Sequence, residues 1–241
     1  METDNIIRNF LSATSAQNSK PPEFVQPTLD NFAEGGEKTA LPAPETLPDK
    51  LVNFLELSEL RATVRQYSAE KLTREELSYL LWCTQGVKAI LPNGITRRTV
   101  PSAGSRHVFD TFLYLQRVEG INAGLYRFLA EEHKLQFIAA KEDIADKFTA
   151  SFKKFQMVQN SAVTFVWAAN MSKMTAKFGA RGYRYVFLDA GHVCQNLYLA
   201  GYTTSIGVCA IGEFFDNKLN DVLELDGTNR FAVYAATIGK M

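Results

Sequence analysis

No charge sign dominates this chain: 26 basic residues stand against 26 acidic ones. A polyanion such as nucleic acid, or an anionic membrane surface, is therefore not an expected partner. No stretch approaches the roughly 18 apolar residues that a membrane span requires, and the acidic, polar N-terminus lacks the apolar core of a secretory leader. A cytoplasmic protein is the expectation. Cysteine is scarce as well. Cys83, Cys194 and Cys209 are odd in number, have no C-x-x-C spacing and lie in apolar stretches, so they read as reduced core residues.

Several chemistries lack their motifs. Neither G-x-G-x-x-G nor G-x-x-x-x-G-K-[ST] occurs, so any nicotinamide cofactor would have to dock without a dinucleotide-binding domain of its own. His107, His133 and His192 form no metal-ligand spacing with one another or with the cysteines, and H-E-x-x-H is absent; no metal is expected. Ser105, His107 and Asp110 are the residue types of a hydrolytic triad, but they lie too close together to come from separate elements, and no G-x-S-x-G is present. His192, in a segment of apolar and small residues, reads as a hydrogen-bonded core histidine. Internal repeats and low-complexity blocks are also missing.

What remains is a chain of 241 residues, 46% of them apolar, enough for one full core plus an arm. Residues 1–45 hold most of the prolines, several Ser, Asn and Glu, and few apolar positions, which predicts a tail or arm. Phe24, Val25, Leu29 and Phe32 are candidate anchors for it on a partner subunit. Residues 46–241 are expected to form the domain.

Helix is first signalled at Thr73, where Thr73-Arg74-Glu75-Glu76 has capping-box spacing and Leu72 can staple onto Leu77. Leu77, Leu80, Leu81, Thr84 and Val87 make one apolar face, with Gly86 near its end. Phe112 to Val118 reads as a buried strand, and Gly124–Phe128 with Leu135–Ile138 as a hairpin. Ile144, Phe148, Phe152 and Phe155 recur at helical spacing, and the apolar run Ala162–Ala169 predicts a central strand. A long helix rich in small residues is expected from about Tyr183 to Ala200. A strand at Ile206–Ile211, a short helix at Asn217–Leu223 and a final strand at Phe231–Ile238 complete the chain.

Three segments stand out for chemistry. Arg61 and Arg65, with Ala62 and Thr63 between, would share one face of a helix or turn; the same spacing also suits a solvated basic surface. Pro101-Ser102-Ala103-Gly104 is a small-residue turn whose backbone a ligand can approach closely, or an ordinary loop. Asp189-Ala190-Gly191-His192-Val193-Cys194-Gln195-Asn196-Leu197 reads as a buried helix that accompanies it.

These segments, with Leu41-Pro42-Ala43-Pro44 and Leu80-Leu81-Trp82-Cys83-Thr84-Gln85-Gly86-Val87, occur in the order that resembles the nitroreductase superfamily. That family comprises flavoproteins that bind FMN across a homodimer interface, and the nearer resemblance is to its SagB-type branch. It runs from about Leu41 to Lys240. It implies an α+β nitroreductase-like fold, with a central, mostly antiparallel sheet flanked by helices in an intertwined homodimer.

The resemblance also implies roles. Arg61 is assigned to the FMN phosphate or ribityl chain, Thr63 to the pyrimidine side and Arg65 to the N1/O2 edge, where a cation favours two-electron reduction. The turn from Pro101 to Gly104 is expected to contact the flavin from the opposite subunit. Ser105-Arg106-His107 departs from the apolar or aromatic residues usual there, so a more cationic pocket is expected, with Arg106 a candidate for recognising an acidic substrate or a nicotinamide phosphate. Ile211, Gly212 and Glu213 fall where a backbone amide faces flavin N5, and Lys240 is the one candidate for a C-terminal phosphate contact.

Lys177-Phe178 occupies the position at which azoline-oxidising branch members carry Lys-Tyr, a pair serving proton abstraction. Lys177 is thus a candidate base or substrate contact, or else a surface lysine, while the tyrosine hydroxyl is lost at Phe178. The activity implied is FMN-dependent oxidoreduction, with NAD(P)H driving ping-pong reduction of nitro compounds, quinones or similar acceptors. The alternatives are dehydrogenation of a peptide azoline or natural-product precursor, and flavin binding without turnover.

Overall fold

The computed structural model describes residues 2–18, 35–47, 52–92 and 94–241. The candidate anchors Phe24, Val25, Leu29 and Phe32 lie outside them. The chain opens with helix α1 (Glu2–Ala13), strand β1 (Lys38–Ala40) and helices α2 (Phe54–Leu60) and α3 (Arg74–Gln85). A small ribbon of β2 (Val87–Ile90) and β3 (Thr96–Arg98) leads to β4 (Phe109–Leu115), β5 (Gly124–Leu129) and β6 (Lys134–Ala140). Helices α4 (Lys141–Thr149) and α5 (Phe155–Asn160) precede β7 (Val163–Asn170), and α6 (Met171–Phe178) leads into α7 (Gly182–Thr203). The chain closes with β8 (Ile206–Ile211), α8 (Asp216–Val222) and β9 (Arg230–Lys240).

Seven strands form one sheet in the order β1-β6-β5-β4-β7-β9-β8, and every neighbouring pair is antiparallel. β7 lies inside it, with β4 on one side and β9 on the other. All eight residues of β7 are buried, which explains why its sequence is apolar on both faces. Phe165 and Trp167 face one core, shared with α3, α6 and α7. Val166 and Ala168 face a second, shared with α4, α5 and α8. This is the expected α+β arrangement of a central antiparallel sheet flanked by helices.

α3 begins as its sequence predicts: Thr73 accepts the Glu76 N–H, and the Glu76 carboxylate accepts the Thr73 N–H. The aromatic series after Ile144 does not form one helix. Thr149 and Ser151 turn their hydroxyls onto the carbonyls of Ala145 and Lys147, and the chain leaves the helix before restarting at Phe155. Phe148 and Phe152 stay in the core with ring centroids 5.4 Å apart, whereas Phe155 is 42% exposed. The strand expected from Phe112 starts earlier, at Phe109, and ends at Leu115. Within residues 1–45, α1 ends at Ala13 and is followed by Thr14, whose hydroxyl and carbonyl accept from Arg184 and Arg181, and β1 extends the sheet beyond β6.

Candidate functional site

β8 is an edge strand, and the segment after α2 covers it. Arg61 caps α2 at its C-terminal end, and beyond it the backbone is extended rather than helical. The Val64 N–H donates to the Val208 carbonyl at 2.9 Å, and the Ser68 N–H to the Lys240 carbonyl at 2.9 Å. The fit demands glycine beneath it. A Cβ at Gly207 would stand 2.6 Å from Val64 Cγ1, and one at Gly239 would stand 2.6 Å from Tyr67 Cβ. The Tyr67 hydroxyl reaches the Thr237 and Val64 carbonyls, each at 3.0 Å, and burial pushes its pKa well above the usual phenol value.

In an extended segment, residues two apart fall on the same side. Arg61, Thr63 and Arg65 are therefore grouped by strand alternation, in place of the helical or turn-like pairing that sequence spacing suggests. Tyr198 of α7 ties this group to β8. Its ring lies 5.4 Å from the Arg61 guanidinium carbon, its hydroxyl is 3.3 Å from Thr63 Oγ1, and it accepts the Ala210 N–H at 2.9 Å. Arg61 and Arg65 have no carboxylate partner among the described residues. Ala62 is exposed, as is Arg65.

Just past Ala210, Ile211 buries its side chain in the second core, and Gly212 has nothing within 4 Å of a would-be Cβ. Glu213 is drawn towards Lys153 and Lys154 at 3.6 and 3.8 Å. Lys240 forms an ion pair with Glu76, the capping-box carboxylate of α3.

The turn from Pro101 to Gly104 sits at another part of α7. Asp189, only 4% exposed, accepts from Ser102 Oγ at 2.7 Å and from the Ala103 N–H at 3.1 Å. Ser102 Oγ in turn accepts the His107 N–H at 3.0 Å. These two groups of the turn therefore point inward, to the helix. Burial pushes the Asp189 carboxyl up, against the lowering effect of its hydrogen bonds. Gly104, Ser105 and His107 hold φ values of +56°, +56° and +43°, a left-handed conformation uncommon for residues with side chains. Pro101 and Gly104 remain exposed.

Lys177 meets this turn. A Cβ at Gly104 would lie 2.6 Å from Lys177 Nζ and 2.9 Å from Phe178 Cζ. Phe178 packs edge-on against Tyr185 at 4.8 Å between centroids. Lys177 thus joins the Pro101–Gly104 group, while Arg61 and Thr63 meet Tyr198 beside Ala210, at the end of β8 that leads to Ile211 and Gly212. Asp189 and Tyr198 anchor the two groups about two and a half turns apart on α7, roughly 13 Å along its axis.

Burial holds His107 neutral, with a pKa lowered to about 4; Arg98 adds a smaller repulsion. The same desolvation raises all three thiols, Cys194 to about 12, so they are held as unreactive core groups. His192 does not lie in the core as its apolar, small-residue neighbours suggest: its side chain is 52% exposed and 4.0 Å from Asp189. Spacing alone missed Tyr198 and Tyr67 as organisers, and no local signal distinguishes them from other core tyrosines. Among the described residues no His, Cys, Asp and Glu cluster has metal-binding geometry, and no helix is long and apolar enough to cross a membrane.

Residues 59–240 match the nitroreductase family. A candidate nitroreductase of Methanocaldococcus jannaschii is 31% identical over 165 residues, covering 68% of this chain and 81% of the relative. The chain belongs to the nitroreductase family.

Solved nitroreductase structures share its fold. One from Ralstonia eutropha JMP134 superposes with a TM-score of 0.68 at 23% identity, covering 92% of this chain and 97% of that one. One from Anabaena variabilis reaches 0.66 at 23%, covering 88% of this chain, which spans only 45% of the Anabaena protein. A candidate nitroreductase of Desulfovibrio desulfuricans, solved in complex with FMN, gives 0.55 at 16%, covering 79% and 87%. The Escherichia coli microcin synthetase McbBCD complex with truncated pro-MccB17 bound includes a chain at 0.63 and 18%, covering 100% of this nitroreductase-family protein and 93% of that chain.

Proposed function

We propose that this protein is an FMN-dependent oxidoreductase, using NAD(P)H to reduce nitro compounds, quinones or similar acceptors by a ping-pong cycle. The observation that carries the reading is the junction at Tyr198. It joins the Arg61 guanidinium and the Thr63 hydroxyl to Ala210, two residues before the open backbone at Gly212, with Arg65 further along the same extended segment and neither arginine paired to a carboxylate among the described residues. That donor set suits a phosphate and the polar edge of a flavin. When bound, FMN supplies a reversible two-electron carrier.

The chain's own residues do the rest. Arg61 would hold the phosphate or ribityl chain and Thr63 the pyrimidine side, and Arg65 would place positive charge at the N1/O2 edge, favouring two-electron reduction. Backbone at Ile211–Glu213 would help to hold the ring. Overall, NAD(P)H, one proton and a nitro compound give NAD(P)+, a nitroso compound and water.

Two protomers complete the site in this reading, because the Pro101–Gly104 turn and the arginine segment lie apart in one. Tyr183, Phe187 and Leu188 on α7 are 37%, 54% and 56% exposed, an apolar face suited to a second copy. Light scattering would then report a homodimer in solution. Replacement of Arg65 by Ala should weaken FMN binding and lower the potential of the loaded protein. An unchanged potential at full loading would count against the N1/O2 assignment.

A second reading, oxidation of a peptide azoline, is favoured by Lys177 over Gly104 and by the full-length likeness to a chain of the microcin synthetase complex. Phe178 has no hydroxyl to share that chemistry. Azoline oxidation that disappears in Lys177→Ala would select this reading over the first.

A further inference from the structure

The cations around the Pro101–Gly104 turn divide into engaged and unengaged. Arg181 donates to the Tyr185 hydroxyl and the Thr14 carbonyl, and Arg184 donates to Thr14 Oγ1. Arg98 donates to Gln85. Lys177 and Arg106 differ. Lys177 is exposed and lies 5.4 Å from the centre of the Phe178 ring, with no carboxylate paired to it among the described residues. Arg106 closes the turn through its backbone N–H, which donates to the Ala103 carbonyl at 3.2 Å. Its side chain is half-buried, and its Nε is buried with no acceptor.

The turn therefore has an anion on its inner side and two uncompensated cations attached to it elsewhere. Asp189, inside, is committed to Ser102 and Ala103, and His192 at 4.0 Å is the charged-type neighbour it has on α7. The Arg106 side chain has no hydrogen-bond acceptor or carboxylate partner among the described residues, and because its Nε is sealed from solvent a ligand oxygen would meet the terminal guanidinium nitrogens. Gly104 and Lys177 are both exposed, so a ligand can approach the ammonium from solvent.

We propose that Arg106, with Lys177, recognises a carboxylate on the electron-accepting substrate. The guanidinium provides directional paired donors, and the ammonium adds a second charge. This inference rests on the flavin reading of the site and narrows its acceptor to an anionic class. The charge that Arg106 offers also suits a phosphate on NADPH or on FMN, so the test must separate these sources.

The FMN-loaded protein would be assayed with 4-nitrobenzoate and 4-nitrobenzamide, which differ in charge at one position. The expected preference in kcat/KM for the benzoate is on the order of tenfold or more, the scale of one charge-assisted hydrogen bond. In Arg106→Gln the ratio should fall to near one, and Arg106→Lys should restore part of it. Equal kcat/KM for both compounds in the unaltered protein would overturn the proposal. So would an Arg106→Gln defect confined to NADPH relative to NADH, or one expressed as lost FMN affinity.

Ligand-observed NMR with benzoate and benzamide on the full chain needs no turnover and no flavin. Selective benzoate binding that Arg106→Gln abolishes supports the proposal even if nitro reduction is absent, and indifferent binding overturns it. Failure to bind FMN would instead sink the underlying flavin reading.

Discussion

The Tyr198 hydroxyl accepts the Ala210 N–H at 2.9 Å and lies 3.3 Å from Thr63 Oγ1. One phenol on α7 thus joins the arginine-bearing segment to the end of β8. Tyr198→Phe keeps the ring beneath Arg61 but leaves the Ala210 N–H without its acceptor. We expect a stability loss of about 1–3 kcal/mol in urea denaturation and faster FMN release by fluorescence. Wild-type stability and release kinetics would show that Tyr198 does not organise the site.

Gly239 is predicted to be intolerant of even a methyl group. The added Cβ would meet Tyr67 Cβ at 2.6 Å, close to the backbone, where no side-chain rotation relieves the contact. Gly239→Ala should cost about 1–3 kcal/mol and weaken FMN binding by displacing the segment that carries Arg61 and Arg65. Gly35→Ala, with nothing within 4 Å, serves as the control in the same thermal melts.

Much of this architecture was legible because local signals agreed with tertiary ones. The capping box at Thr73, the apolar run of β7 and the strand Ile206–Ile211 each carry their own pattern. The extended course of residues 61–68 was not legible, since it depends on Gly207 and Gly239, far away in sequence, leaving room for Val64 and Tyr67. The break after Thr149 was hidden because Phe148, Phe152 and Phe155 keep helical spacing across a turn set by two hydroxyls. The turn motif itself was readable, but its inward anchoring by Asp189 was not, because one acidic residue in a helix of small residues does not reveal its partner.

Removing that anchor should loosen the turn. Asp189→Ala leaves Ser102 Oγ and the Ala103 N–H unpaired, at a cost of about 1–3 kcal/mol; Asp189→Asn should cost less because its amide oxygen still accepts. Hydrogen exchange at the Ala103 amide provides the direct check. Protection that persists in Asp189→Ala would show that the turn is held by other contacts.

His107 predicts an acid limb in the stability profile. Burial depresses its pKa from 6.5 to about 4, so between these values the unfolded chain binds more protons than the folded one. This contribution is present above pH 6.5 and is lost as the pH falls towards 4. His107→Asn, which retains a residue tolerant of left-handed φ, should lose less stability than the wild type over that window in paired denaturant titrations. Parallel curves would show that the imidazole does not titrate in this way.

The most direct test of the central claim is the visible spectrum of the full-length protein reconstituted with FMN, recorded anaerobically before and after NADH and then NADPH. The account predicts bound flavin that bleaches with at least one nicotinamide and recovers its colour on addition of a nitroaromatic or quinone. Absence of FMN binding, or bound flavin that neither nucleotide bleaches, would contradict it.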